Sequence, residues 1–246
     1  TINASSLLTL TGTAQTVTNA IVLAGDATIS NANAMTLGGV ISGSGGLSKA
    51  GAGTLTLSAT NTATGTVAVA AGGLALANGN ALADSVAVSV SAGASLILPA
   101  GSETIGSVAG AGNLVLTGGT LTTGANNSST NLSGVISGSG ELTKAGTGTF
   151  TLSGISSFSG ATQVSAGTLL ITGDLSSSSN VNVASGATLA GTGTAPTIAV
   201  ADGGNLSPGN AGPGLLTVAG NLVLNSGANL LLDISGTTAA TQYDQL

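Results

Sequence analysis

Side chains able to carry chemistry are few in this sequence. It has two lysines, six aspartates and two glutamates, and it lacks histidine, cysteine and arginine. These absences remove the commonest general base, the thiolate nucleophile and metal ligand, and the guanidinium that clamps anions. The sequence therefore predicts a protein that is not an enzyme, with no catalytic, cofactor-binding or metal-binding residues and no cofactor.

The eight carboxylates could supply the paired acids that polysaccharide-cleaving enzymes use. Asp84 and Asp174 lie near equivalent bends of two repeats and could meet on adjacent coils of a solenoid. Aromatic residues, which would form platforms for sugar rings, make up only 1% of the chain, so a polysaccharide-active enzyme stays a secondary alternative. The carboxylates are otherwise scattered: Asp26, Asp84, Glu103, Glu141, Asp174, Asp202, Asp233 and Asp244.

Lys49 and Lys144 are the two basic residues. Ser48 adjoins Lys49, but neighbouring residues of a strand point to opposite faces, so the two side chains diverge and do not form a Ser–Lys catalytic pair. We expect both lysines to be solvated charges that keep a β-rich surface from pairing laterally. Glu141, three residues before Lys144, could pair with it on that surface, where an ion pair adds little stability.

Charge and hydropathy exclude two classes of partner. The net charge is −6, whereas binding to nucleic acid or to an anionic membrane surface needs clustered positive charge. No apolar run approaches the ~18 residues of a membrane span, so we expect no span in the chain. No signal peptide is visible from Thr1 onwards. If the protein is secreted, we therefore expect this sequence to be an internal fragment of it.

Calcium binding and ice binding are two further functions that β-rich repeats can perform. Calcium-binding repeats carry Gly-Gly-x-Gly-x-Asp, whereas here Asp202 precedes Gly203 and Gly204 and the pattern occurs once. Ladders of threonine can bind ice, but the Thr-x-Thr pairs do not recur at one coil period, and threonine is a common exposed strand residue. Ice binding is therefore a minor alternative. The pairs are Thr9/Thr11, Thr16/Thr18, Thr54/Thr56, Thr62/Thr64 and Thr149/Thr151.

An internal duplication organises the chain. Residues 39–58 read GVISGSGGLSKAGAGTLTLS and residues 134–153 read GVISGSGELTKAGTGTFTLS, with 16 of 20 positions identical at an offset of 95 (134 − 39). Within each copy the apolar residues alternate with small polar ones, as in Thr54-Leu55-Thr56-Leu57, which is typical of strands with one buried face. Glycine-rich bends separate these strands. No stretch shows helical periodicity.

This pattern predicts an all-β protein built as a right-handed parallel β-helix (solenoid). A sandwich or barrel is less suitable, because the strands are very short and the large aromatics of a globular core are missing. Coils of roughly 20–28 residues, at about 4.8 Å per rung, would give roughly 9–12 coils. We expect residues 1–246 to form a single continuous β-helix, with repeat units at 39–94 and 134–190. In residues 191–246 we expect a proline-containing loop, at 202–214, and further coils.

The shared motif, G-x-I-S-G-S-G-x-L-x-K-x-G-x-G-x-x-x-L-S, resembles the autotransporter-associated β-strand repeat in passenger domains of type V secreted bacterial proteins. The segment from Leu206 to Leu246 also resembles a stretch common downstream of such repeats. The family usually continues with an Asn-x-Tyr-x-Gly turn, whereas this chain has Ala63 and Phe158 in place of the tyrosine. The matching residues are Ile41, Gly43, Gly45, Leu47, Lys49, Gly51, Gly53 and Leu57, and Ile136, Gly138, Gly140, Leu142, Lys144, Gly146, Gly148 and Leu152.

The resemblance implies a β-helix exposed outside a Gram-negative cell. We therefore expect an extracellular structural or adhesive stalk of a bacterial surface protein, mediating adhesion, autoaggregation or biofilm formation. The alternative is a subunit or repeat of an extracellular filament or matrix. Expected partners are the chain itself or ligands of the cell surface or matrix, with further coils or stacked copies at the termini, because bare β-helix ends pair readily.

Overall fold

The computed structural model describes residues 1–3, 6–12 and 14–246. In these residues the chain forms thirty short strands, numbered β1 to β30, and no helix. Every ladder between neighbouring strands is parallel, and the strands stack into a β-helix of about 11 turns. The predicted fold class and number of coils are therefore confirmed. At about 4.8 Å per rung the molecule is a rod on the order of 50 Å long.

Each coil passes over three faces in the order A, B, C. Face A is one twelve-stranded sheet that runs through all the coils. Its strands are β1 (Ser6–Leu10), β4 (Ala27–Asn31), β7 (Leu47–Ala50), β9 (Val67–Val69), β11 (Ala87–Val90), β14 (Ser107–Gly110), β17 (Thr130–Leu132), β20 (Thr149–Leu152), β22 (Thr168–Ile171), β24 (Thr188–Gly191), β27 (Asn205–Pro208) and β30 (Asn229–Leu230).

Faces B and C are each divided by an interruption of two coils. Face B consists of β2 (Gln15–Val17), β5 (Met35–Leu37), β8 (Thr54–Leu57), β10 (Gly73–Leu76), β12 (Ser95–Leu98), β15 (Asn113–Leu116) and β18 (Ile136–Gly138), then β25 (Thr194–Ala195) and β28 (Thr217–Val218). Face C consists of β3 (Ile21–Leu23) and β6 (Ile41–Gly43), then β13 (Ser102–Ile105), β16 (Thr120–Thr123), β19 (Glu141–Lys144), β21 (Thr162–Val164), β23 (Asn180–Val183), β26 (Thr197–Val200) and β29 (Leu222–Leu224).

The core is a set of aliphatic columns that run along the rod. On face A, Leu47, Val67, Val88 and Val108 stack directly on one another in successive strands and are all buried. Alternate residues of each strand point inward, so small polar residues fill the outer positions. Burying one such side chain contributes roughly 1.5–3 kcal/mol, which explains how a core without large aromatics can hold the coils together.

Glycines mark corners where one coil touches the next. At Gly45 a side-chain Cβ would lie 2.1 Å from the carbonyl oxygen of Gly25, and at Gly65 it would lie 2.1 Å from that of Gly45. These are backbone atoms, which cannot turn aside. The corner therefore admits only glycine, and the high glycine content follows from coil stacking.

The two repeat units lie on different faces. In the first unit the lysine of the motif is on β7 of face A, whereas in the second it is on β19 of face C. The stretches without strands keep the same position relative to the motif in both units. In the first unit they lie on face C, at residues 59–63 and 77–86. In the second unit they lie on face B, at residues 154–158 and 172–179. The second unit is thus rotated by one face about the rod axis.

The predicted long loop at 202–214 is partly wrong. Strand β27 (Asn205–Pro208) lies inside it, because Leu206 continues the buried column above Leu189. The rest of the predicted loop, residues 202–204 and 209–214, belongs to none of the thirty strands. There, Gly214 N–H donates to the Asp244 carboxylate, at 2.7 Å from N to Oδ1.

We expect Gly65→Ala to lower the free energy of unfolding by about 1–3 kcal/mol, the usual cost of overpacking. Its Cβ would collide with the Gly45 carbonyl, so a coil must shift. Gly212→Ala is the matched control, because nothing lies within 4 Å of the position that its Cβ would take and its φ is not in the left-handed range. Chemical denaturation of both variants tests this, and equal midpoints would contradict the stacking explanation.

Candidate functional site

Lys49 is buried inside the rod, with 0% of its surface exposed. Its side chain stands in the inward column of face A between Ile29 and Val69. The ammonium Nζ donates to three backbone carbonyl oxygens, those of Ala50 (2.8 Å), Gly51 (2.8 Å) and Ala71 (3.0 Å). Ala71 belongs to the next coil, so the lysine ties two coils together at a corner.

Lys144 repeats this arrangement on face C. Its Nζ donates to the carbonyl oxygens of Ala145 (2.6 Å), Gly146 (2.8 Å) and Ala166 (3.1 Å), and its side chain is 1% exposed. Each lysine with its three carbonyls is called a lysine nest below. Both nests have the same sequence offsets, because the same motif builds each corner.

The expectation that the two lysines are solvated is therefore wrong. Each long aliphatic stem packs within the core, and the corner presents three carbonyl oxygens that match the three donors of an ammonium group. The surface ion pair of Glu141 with Lys144 is wrong for the same reason. The exposed Glu141 carboxylate instead accepts a hydrogen bond from the Thr120 hydroxyl (3.1 Å).

Two effects oppose each other in the lysine nests. Burial lowers the pKa of both Lys49 and Lys144 below the ordinary value, because desolvation penalises the charged form. The carbonyl oxygens favour the charged form, because only the ammonium can donate to all three. The nests thus use a positive charge to satisfy backbone acceptors that no strand partner reaches.

We expect Lys49→Met to lower the free energy of unfolding by roughly 2 kcal/mol, because methionine fills the space but leaves buried carbonyls without a donor. Lys144→Met should behave alike. The control is Glu141→Gln, an exposed change beside the second nest. Thermal and denaturant unfolding measure the effect, and a methionine variant as stable as the parent would show that the nests add no stability.

Glu103 is a buried carboxylate at the edge of the interruption on face C. Its two oxygens accept hydrogen bonds from the backbone N–H groups of Ala81 (3.0 Å) and Leu82 (2.7 Å), in the coil below. Burial raises the pKa of Glu103 to about 7, the two backbone donors act in the opposite direction, and the charge of Asp84 raises it further. The Glu103 carboxylate thus gives segment 77–86 the hydrogen-bond acceptors that the backbone of a neighbouring strand would otherwise provide.

The raised pKa of Glu103 makes stability depend on pH. Because the folded chain holds this proton up to about pH 7 and the unfolded chain only to about 4.5, the contribution of Glu103 to stability is fully present below pH 4.5 and is lost as pH rises through 7. The expected loss is on the order of 2–3 kcal/mol. Glu103→Gln should flatten this dependence, whereas Glu141→Gln should keep it. Denaturant midpoints across this pH range test it, and an unchanged slope in Glu103→Gln would refute the assignment.

The remaining candidates are not assembled into a site. Ser48 lies on the outer side of β7 and Lys49 points inward, so the two side chains diverge, as predicted for neighbouring strand residues. Asp84 and Asp174 fall on different faces, four rungs apart along face A, so the predicted meeting on adjacent coils is wrong. Asp202 accepts a hydrogen bond from the Gly227 N–H (3.0 Å). Among the described residues no cluster of three or more potential metal ligands is found.

Threonines stack more than the sequence suggested. Thr16, Thr36 and Thr56 occupy one outward column of face B at a spacing of one coil. The column ends at Ala75. The stacked residues are single threonines and not Thr-x-Thr pairs, because Ala34 and Gly38 flank Thr36 at the positions where a second threonine would be needed.

The aromatic position after the motif faces the core. Phe158 is fully buried, whereas its counterpart Ala63 adjoins a cavity of about 10 Å³ lined by residues including Leu57, Asn61 and Val67. Phe158 is thus a packing residue. Its large apolar body fills the space beneath the interrupted face, and in the first unit that space is filled incompletely.

The outer surface carries negative charge and almost no positive charge, because both lysines are inside. In the twelve strands of face A the one charged residue is Lys49, which points inward. The outward positions hold mainly Ser, Thr, Ala and Asn. Face A is thus a long uncharged sheet surface on a chain of net charge −6.

Comparison with known families identifies the duplicated unit. Residues 47–76 and 142–171 match the passenger-associated-transport-repeat. Both matches begin on the strand that holds the lysine nest and end one coil and one face later, at β10 in the first and β22 in the second. The resemblance to an autotransporter passenger domain is thereby confirmed.

The repeat suggests a secreted or cell-surface location and fits an autotransporter passenger stalk. No curated protein matches the chain. The described part of the chain contains no apolar helix with the length to cross a bilayer.

Proposed function

We propose that this chain is an extracellular structural and adhesive stalk of a bacterial surface protein, without enzymatic activity, that mediates adhesion, autoaggregation or biofilm formation. The observation that carries the proposal is face A, an uninterrupted sheet surface twelve strands long with no outward charge. Its strands are joined to the neighbouring coils by backbone hydrogen bonds, so it forms a stiff surface that needs no disulfide.

Face A suits contact between copies of the chain. Asp26 lies at the edge of face A, where its carboxylate accepts a hydrogen bond from the Gly46 N–H (2.7 Å). Five further acidic residues are at least partly exposed elsewhere on the rod, and they would repel a second copy if they lay on the contact surface. Uncharged Ser, Thr and Asn side chains can form many hydrogen bonds across such a contact, each worth about 1 kcal/mol net. A surface roughly 50 Å long, at about 4.8 Å per rung, offers room for a substantial number of them.

We expect the chain, coupled to beads, to make the beads aggregate, and positive charges on face A to slow this aggregation severalfold. The variant Ser48→Lys/Ser89→Lys places two charges at outward face A positions. The matched control is Thr36→Lys/Thr56→Lys, which places two charges outward on face B. Bead settling and light scattering measure the effect. Equal loss in both variants, or in neither, would contradict the assignment to face A.

Filament assembly is a second candidate, favoured by the last rungs of face A and face C. Leu222, Leu224 and Leu230 occupy inward ladder positions, above Ile198, Val200 and Leu206, yet they are 36–40% exposed. A further rung would cover them. In sedimentation experiments a filament would appear as elongated species whose size rises with protein concentration. Leu222→Asp should abolish these species. Lateral association through face A would persist in the same variant.

A further inference from the structure

Segment 77–86 on face C contains two neighbouring residues that can react with each other. Asn78 is followed by Gly79, the one Asn-Gly pair in the sequence. The segment joins β10 to β11 where face C has no strand, and Gly79 is exposed. Glycine has no side chain to hinder attack by its own backbone nitrogen on the preceding asparagine.

We propose that Asn78 is a site of spontaneous deamidation in the folded protein. The backbone nitrogen of Gly79 loses its proton and attacks Cγ of Asn78. The Cγ–Nδ2 bond breaks, ammonia leaves and a five-membered succinimide remains. Solvent water then opens either carbonyl carbon–nitrogen bond of the ring, which yields aspartate or isoaspartate at position 78.

Hydrogen bonding leaves both reacting groups available. Among the described residues, the Gly79 N–H has no hydrogen-bond acceptor. The Asn78 side-chain amide is held only by two long hydrogen bonds, from Nδ2 to the Ser58 carbonyl oxygen (3.4 Å) and to the Thr60 hydroxyl (3.3 Å). Both lie near the outer limit for a hydrogen bond and hold the amide weakly.

The product would alter the coil contact. A carboxylate at position 78 cannot donate to the Ser58 carbonyl oxygen, so an attractive contact becomes a repulsive one. Segment 77–86 is also joined to the coil below through Asn61, which donates to the carbonyl oxygens of Asn80 (2.9 Å) and Ala81 (2.8 Å), and to the coil above through Glu103, which accepts from Ala81 and Leu82. The reaction would therefore weaken the contact with the coil below at the start of this segment, and it would add negative charge to a segment that already contains Asp84.

Peptide mapping by mass spectrometry, after incubation of the folded chain in mildly alkaline buffer, tests the proposal. We expect a mass gain at Asn78 with equimolar release of ammonia. The reaction should be slower in acid, because the attacking nitrogen must be deprotonated. Hydrogen exchange at the Ala81 and Leu82 N–H groups should become faster once Asn78 has reacted. Asn80, in the same segment but followed by alanine, is the internal control. Asn78→Gln should abolish the mass gain, because glutamine needs a larger ring. Gly79→Ala is less suitable, because its Cβ would lie 2.7 Å from the Ser102 carbonyl oxygen.

The same incubation in denaturant separates the motif from the fold. Deamidation of Asn78 at similar rates in the folded and unfolded chain supports the proposal. Deamidation in the unfolded chain alone would show that the folded segment protects Asn78 and would overturn it. Faster reaction at another asparagine of the folded chain would also overturn it.

Discussion

Direct contact between the backbones of successive coils is the constraint on which the rest of this structure depends. Parallel strands pair at about 4.8 Å from coil to coil, so the corners approach as closely as the strands do. Gly45 and Gly65 show the consequence, since a Cβ there would overlap a carbonyl oxygen of the coil below. The thin core that results holds branched aliphatic side chains, which stack on their own kind. The composition of the chain follows from this geometry.

The few strongly polar side chains of the interior compensate for breaks in the backbone ladder. Where face C lacks strands, Asn61 accepts from the Ile41 N–H (2.7 Å) and donates to the Ala81 carbonyl (2.8 Å). One coil further along, the Glu103 carboxylate accepts hydrogen bonds from the Ala81 and Leu82 N–H groups. The lysine nests do the same for carbonyl oxygens at the corners. Charge is thus used inside the rod, and this leaves the longest outer face uncharged and suited to contact.

Much of the fold was predictable from the sequence, because period-two alternation and glycine bends report directly on strands and corners. The lysine nests were not predicted, although a signal exists. Lys49 lies two residues after Leu47, and Lys144 lies two residues after Leu142, so in a strand each lysine points to the same inward face as its leucine. Glu103 lies two residues before Ile105 and shares its inward face in the same way. The expectation that the two lysines are solvated charges places them outside, whereas the register requires them inside.

The rotation of the second repeat by one face shows that the unit of this architecture is the single face rather than the whole coil. Coils in the first part of the rod are 20 residues long, as in the pairing of Ile21 with Ile41, and the repeat offset of 95 is not a multiple of that length. Each unit nevertheless builds the same nest and the same interruption, because these depend on contacts within and just above the unit. The three faces offer equivalent surroundings, so a unit can begin on any of them. Ala63 and Phe158 show how far the units can diverge while keeping this plan. Duplication can therefore lengthen such a rod by any whole number of faces, and repeated motifs then point in different directions around its axis.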